Sequence, residues 1–336
     1  MSGPRVTLVV PTLEADAALE ACLQSLRMQT YPNFDVVVVD NSGQRRSRSL
    51  ACALGARLVE NVRNEGFGAA VNCGWRTSSA PFLGALNDDI VAHPEWLATL
   101  VQAMERHPDV GMCAPQILLA GTEVLDSAGM LVAADGSSKQ RGHGRPAWEY
   151  AREEEVLFPS ACAALYRRAM IEQIGGFDEE FFLYCEDVDL GLRARWAGWR
   201  CLYVPQAIVE HRYSYTAGRA SALKAYYVER NRLFVIAKNF PASSLLRALL
   251  AAPARYAWHV AFLLRGRGAA AAFQRQGHPT WRLAWFVARA HAAAAWRLPT
   301  LWRQRRAIRR GARIPSEEFR RLLASHAIPL REVAAL

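Results

Sequence analysis

Short apolar runs alternate with helix-patterned segments through the first 120 residues, and this alternation constrains the fold most. RVTLVVPT (5–12), FDVVVVDNS (34–42), ARLVEN (56–61), PFLGALNDDI (81–90) and VGMCAPQIL (110–118) are the extended runs. Between them lie ADAALEACLQSLRMQ (15–29), GAAVNCGWRT after a glycine turn, and PEWLATLVQAMERH (94–107), which carries a proline in its first turn. Strands alternating with helices of this length predict βαβ units and a mostly parallel, Rossmann-like sheet. Ligands bind such sheets beyond the carboxyl ends of the strands, where this chain has Thr12–Glu14, Asp40–Asn41 and Asn87–Asp89.

Beyond residue 120 the pattern loosens. DSAGMLVAADGSSKQRG reads as a hairpin or a mobile loop. EVLFPSACAALYRRAMIEQIGGF (155–177) gives a strand and then a helix that stops at Gly175–Gly176. DLGLRARWAG is a helix ended by Gly198, and WRCLYVPQAIVEHR (199–212) is extended. From Ala220 onward alanine, arginine and other helix formers dominate, so we expect one α/β body over 1–220 and a helical extension over 221–336.

Charge divides along the same line. Residues 1–240 hold 24 Lys and Arg against 28 Asp and Glu, whereas residues 241–336 hold 17 against 3, so the formal +10 belongs to the tail. An acidic body with a basic tail suggests a catalytic domain and a segment that meets an anionic surface. The seven cysteines are scattered without a C-x-x-C pair, which argues against a disulfide framework or a zinc site and for a reducing compartment. The start, MSGPRVTLVVPT, lacks the apolar core of a secretion signal. The most membrane-like stretch, ALLAAPARYAWHVAFLL (248–264), is shorter than the roughly 20 residues a spanning helix needs and carries Arg255 and His259.

Three places carry candidate chemistry. Asp88 and Asp89 end a buried strand, where a capped polar strand end would suffice. Carboxylate oxygens there also suit Mg²⁺ or Mn²⁺ bridging to substrate phosphates. His211 closes an apolar strand and is a structural histidine unless a metal site stands nearby, when it becomes a nitrogen ligand. In FFLYCEDVDLGLR, Asp189 and Arg193 are spaced for ordinary helix support worth about 0.2–0.5 kcal/mol, and acids in a first turn complement the helix dipole. Neither effect explains adjacent Glu186 and Asp187 behind aromatic residues. A carboxylate held there has a raised pKa and can take a proton near neutrality. The glycines of NEGFGAAVNCGW (64–75) allow close backbone approach to an anion. The turn follows the third strand and lacks a third glycine, so it does not match a dinucleotide fingerprint.

Together VVPT, VVVDNSG, NEGFGAAVNCG, LNDDI, GGFDEEFFLYCEDVDLGLR and VEHRYSYTAG, in that order, resemble the family-2 glycosyltransferases of GT-A fold, and among them the rhamnosyltransferase-like members of bacterial polysaccharide assembly. The resemblance covers roughly residues 4–240. It implies a nucleotide-binding half over 1–120 and an acceptor half over 121–220. Pro11, Thr12, Glu14, Asp40, Asn64, Gly66, Gly68, Asn72 and Asp88 would then serve the nucleotide-diphosphate sugar donor. Asp89 and His211 would hold Mg²⁺ or Mn²⁺. Asp187 would be the general base, and Glu186 would orient it or contact the acceptor.

Two positions depart from the family. Leu13 and Glu14 stand where a Tyr-Asn pair is usual, and Val71 stands where some relatives carry an arginine beside the diphosphate. The expected activity is inverting, metal-dependent transfer of a sugar, L-rhamnose at family level, to a glycan or lipid-linked acceptor. We expect a cytoplasmic protein held peripherally on the inner face of the membrane, with LWRQRRAIRRGAR (301–313) meeting anionic lipid. KAYYVERNRLFVIAKNF (224–240) reads as an amphipathic helix, packing on the catalytic domain or belonging with the tail. Two rival readings remain. One is a nucleotidyltransferase, which would need a basic loop where PTLEAD is acidic. The other is a non-catalytic membrane or nucleic-acid binding module. The acidic body and the lack of a nucleic-acid motif disfavour nucleic acid as a partner.

Overall fold

The computed structural model describes residues 3–212 and 221–335, which form two compact units. The first comprises residues up to 130, 140–194 and 199–213; the second comprises 131–139, 195–198 and 214 onward. The expected boundary at 220 falls outside the described residues, as does the YSYTAG part of the last motif. The tip of the expected hairpin, 131–139, groups with the helical unit rather than the α/β body.

In chain order the first unit contains β1 (Val6–Thr12), α1 (Ala17–Arg27), β2 (Phe34–Asp40), α2 (Arg48–Ala53), β3 (Arg57–Glu60), α3 (Phe67–Arg76), β4 (Phe82–Leu86) and β5 (Ile90–Ala92). Next come α4 (Trp96–Arg106), β6 (Val110–Leu119) and β7 (Leu125–Ser127), then β8 (Met130–Val132) and β9 (Ser138–Gln140), most of whose residues group with the second unit, then β10 (Glu154–Glu155) and β11 (Ala163–Arg167). α5 (Arg168–Ile174), α6 (Glu186–Trp196), whose last two residues group with the second unit, and β12 (Arg200–His211) complete the order. The main sheet runs β10-β12-β6-β11-β4-β1-β2-β3, with β5 on β12 and β7 on β6. β1, β2, β3 and β4 are mutually parallel, as are β6 and β12.

The sheet is mixed because β11 enters between β4 and β6 antiparallel to both. That reversal brings the start of β11 to the edge where β1, β2 and β4 end. β12 is parallel to β6 yet antiparallel to β5, and the register sets His211 opposite both Leu119 and Ile90. The core lies against this sheet, with Leu8, Val10, Leu19, Leu23, Trp96, Leu100 and Leu165 almost wholly removed from water.

α6 is buried nearly all round, so its charges need partners inside. Asp189 accepts from Arg193 Nε at 2.7 Å. The guanidinium also donates to the carbonyls of Ile174, Gly175 and Gly176 at 2.7–3.2 Å, closing the end of α5. The i,i+4 pair expected as ordinary helix support is therefore a buried ion pair that also caps a helix.

The second unit holds α7 (Ala222–Asn239), α8 (Ala242–Leu264), α9 (Gly268–Arg275), α10 (Trp281–Arg310), α11 (Ser316–Ser325) and α12 (Leu330–Ala335). Trp196 stacks on Phe319 with centroids 3.8 Å apart, and its indole N–H donates to the Asn239 carbonyl at 2.9 Å. No described helix is long and apolar enough to cross a membrane.

Removing one member of the α6 pair leaves a charge buried without compensation. Asp189→Ala or Arg193→Met should each cost about 3–5 kcal/mol, seen as a lowered melting temperature in a thermal-shift measurement. A loss below about 0.5 kcal/mol would return the pair to the surface class.

Candidate active site

The strand ends of β1, β2 and β4 place Thr12, Asp40 and Asn87–Asp89 along one edge. β2 runs directly into Asn41, which organises the loop that follows β3. The Asn41 amide nitrogen donates to Asn64 Oδ1 at 3.0 Å and to the Gly66 carbonyl at 3.2 Å. Its oxygen accepts from the Asn61 side chain at 2.9 Å and from the Glu65 N–H at 3.1 Å. Asn64 in turn accepts from the Gly66 N–H at 2.9 Å. Asn41 was not among the expected site residues, although it stands beside Asp40 in the VVVDNS run.

Gly66 opens α3 at φ +88°, and a Cβ there would lie 2.2 Å from the Phe182 carbonyl oxygen. That oxygen accepts from the Phe67 N–H at 2.9 Å. A Cβ on Gly68 would meet Phe177 at 2.8 Å. The two glycines thus let the start of α3 touch the segment that carries the acids. Asn72, expected on the donor side, bridges to the same segment. It donates to the Phe177 carbonyl at 2.8 Å and to Glu179 at 3.0 Å, and accepts from the Phe177 N–H at 2.9 Å.

The approach to Glu186 is strained. Phe182, Tyr184 and Cys185 all have positive φ, and Phe182 (φ 63°, ψ −60°) centres a γ-turn closed by Leu183 N–H donating to the Phe181 carbonyl at 2.7 Å. Such conformations cost of order 1–3 kcal/mol each and persist where the surroundings over-determine them. Here they turn the chain so that α6 starts with its acids at the sheet edge. Glu186 is buried, and among the described residues its Oε2 has no hydrogen-bond partner. Burial, reinforced by the neighbouring Asp187 charge, pushes it up to about 8. Burial likewise raises Asp187, opposed by N–H donors from Ala161 at 3.4 Å and Val188 at 2.8 Å.

Ala161 and Cys162 precede reversed β11. Ala161 reaches Asp187, and the Cys162 carbonyl accepts from the Asn87 N–H at 2.8 Å. The Cys162 sulfur stands beside His211. The imidazole is placed by the β12 register. Its Nε2 lies 3.3 Å from Asp89 Oδ1 and 3.3 Å from the Asn87 amide, and its Nδ1 lies 2.7 Å from Asp126 Oδ2. Burial opposes a charge there, but Cys162, Asp126 and Asp89 together push His211 well above its ordinary value. Asp126 is buried and also meets His143 Nδ1 at 3.1 Å. Despite its burial, the two histidines hold it below the usual carboxylate range. Asp126 was missed from the sequence, because β7 is three residues long and shows no alternation to read.

Among the described residues, buried Asp89 Oδ1 makes no contact of hydrogen-bond geometry beyond its 3.3 Å approach to a ring nitrogen whose other nitrogen is fixed by a carboxylate. That fits a divalent cation, with Asp126 orienting the imidazole as an outer partner. Among the described residues no group of three or more His, Cys, Asp or Glu is arranged to hold a metal. An ion here would take its remaining ligands from phosphate and water, as Mg²⁺ commonly does.

The other expected donor residues divide. Asp88 is raised to about 6, chiefly by burial, against the opposing influence of the Thr12 hydroxyl beside it and with Asp89 and Asp16 adding repulsion. The Thr12 hydroxyl gives its one proton to the Glu14 carbonyl at 2.6 Å. Glu14 is exposed at the rim and paired with Arg46. Pro11 is buried within β1 opposite Val39. Asp40 is 1% exposed, and both its oxygens are engaged by the loop into α2. They accept from the Ser42 N–H at 3.0 Å, the Ser42 hydroxyl at 2.5 Å and the Ser47 N–H at 2.8 Å. Burial works against its charge, but these donors hold it below its ordinary value.

The profile described as "Glycosyltransferase like family 2" matches residues 4–234. The chain belongs to glycosyltransferase family 2. It is 32% identical over 252 residues to an N-acetylglucosaminyl-diphospho-decaprenol L-rhamnosyltransferase of Mycobacterium tuberculosis, covering 66% of this chain and 80% of that protein. Among solved structures, GalNAc-T7 with UDP, GalNAc and Mn²⁺ superposes with a TM-score of 0.58 at 15% identity, over 70% of this chain and 48% of that one. A mannosyltransferase from Pyrobaculum calidifontis, in complex with GDP-Man and Mn²⁺, gives 0.51 at 18% identity over 88% and 87%. The fold is GT-A with a helical C-terminal extension, and the protein is a transferase enzyme. The nucleotidyltransferase and binding-module readings are set aside.

The raised carboxyl of Glu186 makes its ionisation unfavourable to folding. Its folded pKa of about 8 exceeds its ordinary value of 4.5, so the penalty is absent below about pH 4.5, grows as pH rises and is complete above about pH 8. Glu186→Gln should therefore melt above the parent by about 3 °C or more at pH 8.5, with the gap closing towards pH 4.5. A gap independent of pH would refute the buried-acid reading.

Proposed function

We propose that the enzyme transfers a sugar, with inversion, from a nucleotide-diphosphate donor to a lipid-linked or glycan acceptor, assisted by Mg²⁺ or Mn²⁺. The observation that carries this reading is the Ala161–Cys162 pair. One residue holds Asp187 and the next packs on His211, so the base candidate and the metal candidates belong to one constellation.

Asp187 is the group that takes the proton from the acceptor hydroxyl. As that proton moves to the carboxylate, the acceptor oxygen forms its bond to the anomeric carbon, the bond to the donor phosphate oxygen breaks, and the nucleoside diphosphate leaves. A single displacement inverts the centre and needs no enzyme nucleophile. Glu186, held largely neutral at pH 7, adds no second charge beside Asp187 and can donate a hydrogen bond to a sugar hydroxyl. Asp89 and His211 would hold the cation, which supplies charge neutralisation at the departing diphosphate. The buried loop carboxylate Asp40 shapes the nucleotide end. The relative named for L-rhamnosyl transfer to a diphospho-lipid supports L-rhamnose as donor sugar and a diphospho-lipid acceptor as the first pair to try.

A donor panel scored for nucleotide release tests this directly. Asp187→Asn should lose about 10²–10⁴-fold in kcat while donor binding persists. Chelation should abolish release, and either Mg²⁺ or Mn²⁺ should restore it. Full release in chelator would remove the metal roles of Asp89 and His211, and an unaffected Asp187→Asn would remove the base. Because burial raises the base, the acid limb of kcat/KM should lie above the ordinary carboxylate range, and a limb at or below about pH 4 would contradict it.

A further inference from the structure

Two arginines of the run expected to meet lipid, Arg305 and Arg309, turn inward, while Arg303, Arg306, Arg310 and Arg313 are exposed. Arg305 is buried and donates to the Ala237 carbonyl at 3.0 Å. Arg309 donates to the carbonyls of Asn239 and Phe240 at 2.8 and 2.9 Å and lies 3.5 Å over the Trp196 ring. Both guanidiniums close the carboxyl end of α7, where backbone carbonyls lack helical partners.

α8 is built the opposite way round from a water-facing helix. Its inner face carries Ala248, Ala252 and Arg255, all buried. Arg255 donates to Asp135 at 2.6 Å and to Glu229 at 2.6 Å within the second unit. Its outer face carries Leu246, Leu249, Leu250, Pro253, Ala257, Val260 and Leu264, a single stripe at helical spacing. These are open to solvent: Leu246 67%, Leu250 70%, Val260 55%, Leu264 82%. With the charges inside and the leucines outside, α8 is suited to an apolar medium on its outer side. Over 23 residues the stripe is ~35 Å long.

We propose that the outer face of α8 docks on an anionic lipid bilayer, lying in the interface rather than spanning it. Charge selects this occupant over a second copy of the chain. No Asp or Glu occurs from Arg230 to Ser316, and residues 241–336 hold 17 arginines against three glutamates, so two such faces would repel. Arg247 near the start of the stripe and Arg265 and Arg267 just past its end are exposed, placed for headgroup phosphates at both ends. The leucines between them reach the acyl boundary, as interfacial helices do. This surface is independent of the reaction proposed above, and its test needs neither donor nor acceptor.

The full chain should co-sediment with phosphatidylcholine–phosphatidylglycerol vesicles and far less with phosphatidylcholine alone. Leu250→Glu combined with Leu264→Glu should weaken that binding by about tenfold or more. The same variant should keep its melting temperature and its nucleotide release with a soluble acceptor, since both side chains are exposed. Arg265→Gln with Arg267→Gln should weaken binding to the mixed vesicles only. Equal binding by the parent and the leucine variant would overturn the proposal. So would a parent that ignores vesicles, or one whose dimer in gel filtration is dissolved by the leucine substitutions.

Discussion

The candidate site depends on two adjacent carboxyl groups held at the start of a buried helix, Glu186 buried and Asp187 half-buried. Glu186 and Asp187 would be more stable in solvent, and each is raised because burial disfavours its charge. Much of the surrounding architecture serves to hold them there. The γ-turn at Phe182 forces the chain into the site, and the Phe182 carbonyl is fastened by the Phe67 N–H. Asn72 ties down Phe177 from the other side. One turn further along α6, Asp189 and Arg193 anchor the helix to the end of α5. The scaffold supplies the stability that the acids remove, a pattern expected where a residue is held for chemistry.

In the proposed mechanism the same segment would stand between donor and acceptor. The loop after β3 is arranged by Asn41 and Asn64, and it contacts the Phe182 turn through Gly66 and Phe67. No side chain could replace Gly66 without meeting the Phe182 oxygen. Whatever orders the glycine loop therefore also orders the turn that leads into Glu186 and Asp187. The antiparallel entry of β11 completes the arrangement, because a parallel strand would have brought its carboxyl end, not Ala161 and Cys162, to this edge.

Much of this was legible in the sequence. The β-branched runs located β1, β2 and β3 within a residue or two, and their polar ends meet along one edge of the sheet. Glu186 and Asp187 stood out because acids behind aromatics have no cheap structural explanation. What escaped was what local pattern does not encode. The direction of β11 is not written in AALYR, since a fully buried strand reads alike either way. α2 is six residues long and shows too little periodicity to detect. Asp126 sits in a three-residue strand, and its partnership with His211 spans 85 positions. Asp189 and Arg193 had surface-pair spacing, and only the all-round burial of α6 changes their meaning.

Arginine is where composition misleads most. A run such as RQRRAIRR invites a reading as a solvated cationic face, yet a guanidinium can also terminate a helix, stack on an indole and lie buried if its donors find carbonyls. Arg305 and Arg309 do this at the end of α7, and Arg255 does it with carboxylates beneath α8. Burial of these charges decides which surface remains. Arg255 of α8 and Arg305 and Arg309 of α10 turn inward while the leucines of α8 face outward, so the apolar face of α8 lies opposite its buried charge. Net charge still acts at longer range, since +14 over residues 241–336 attracts an anionic surface whichever side chains touch it. The basic tail and the leucine stripe are therefore parts of one arrangement, with charge governing approach and the α8 face governing contact.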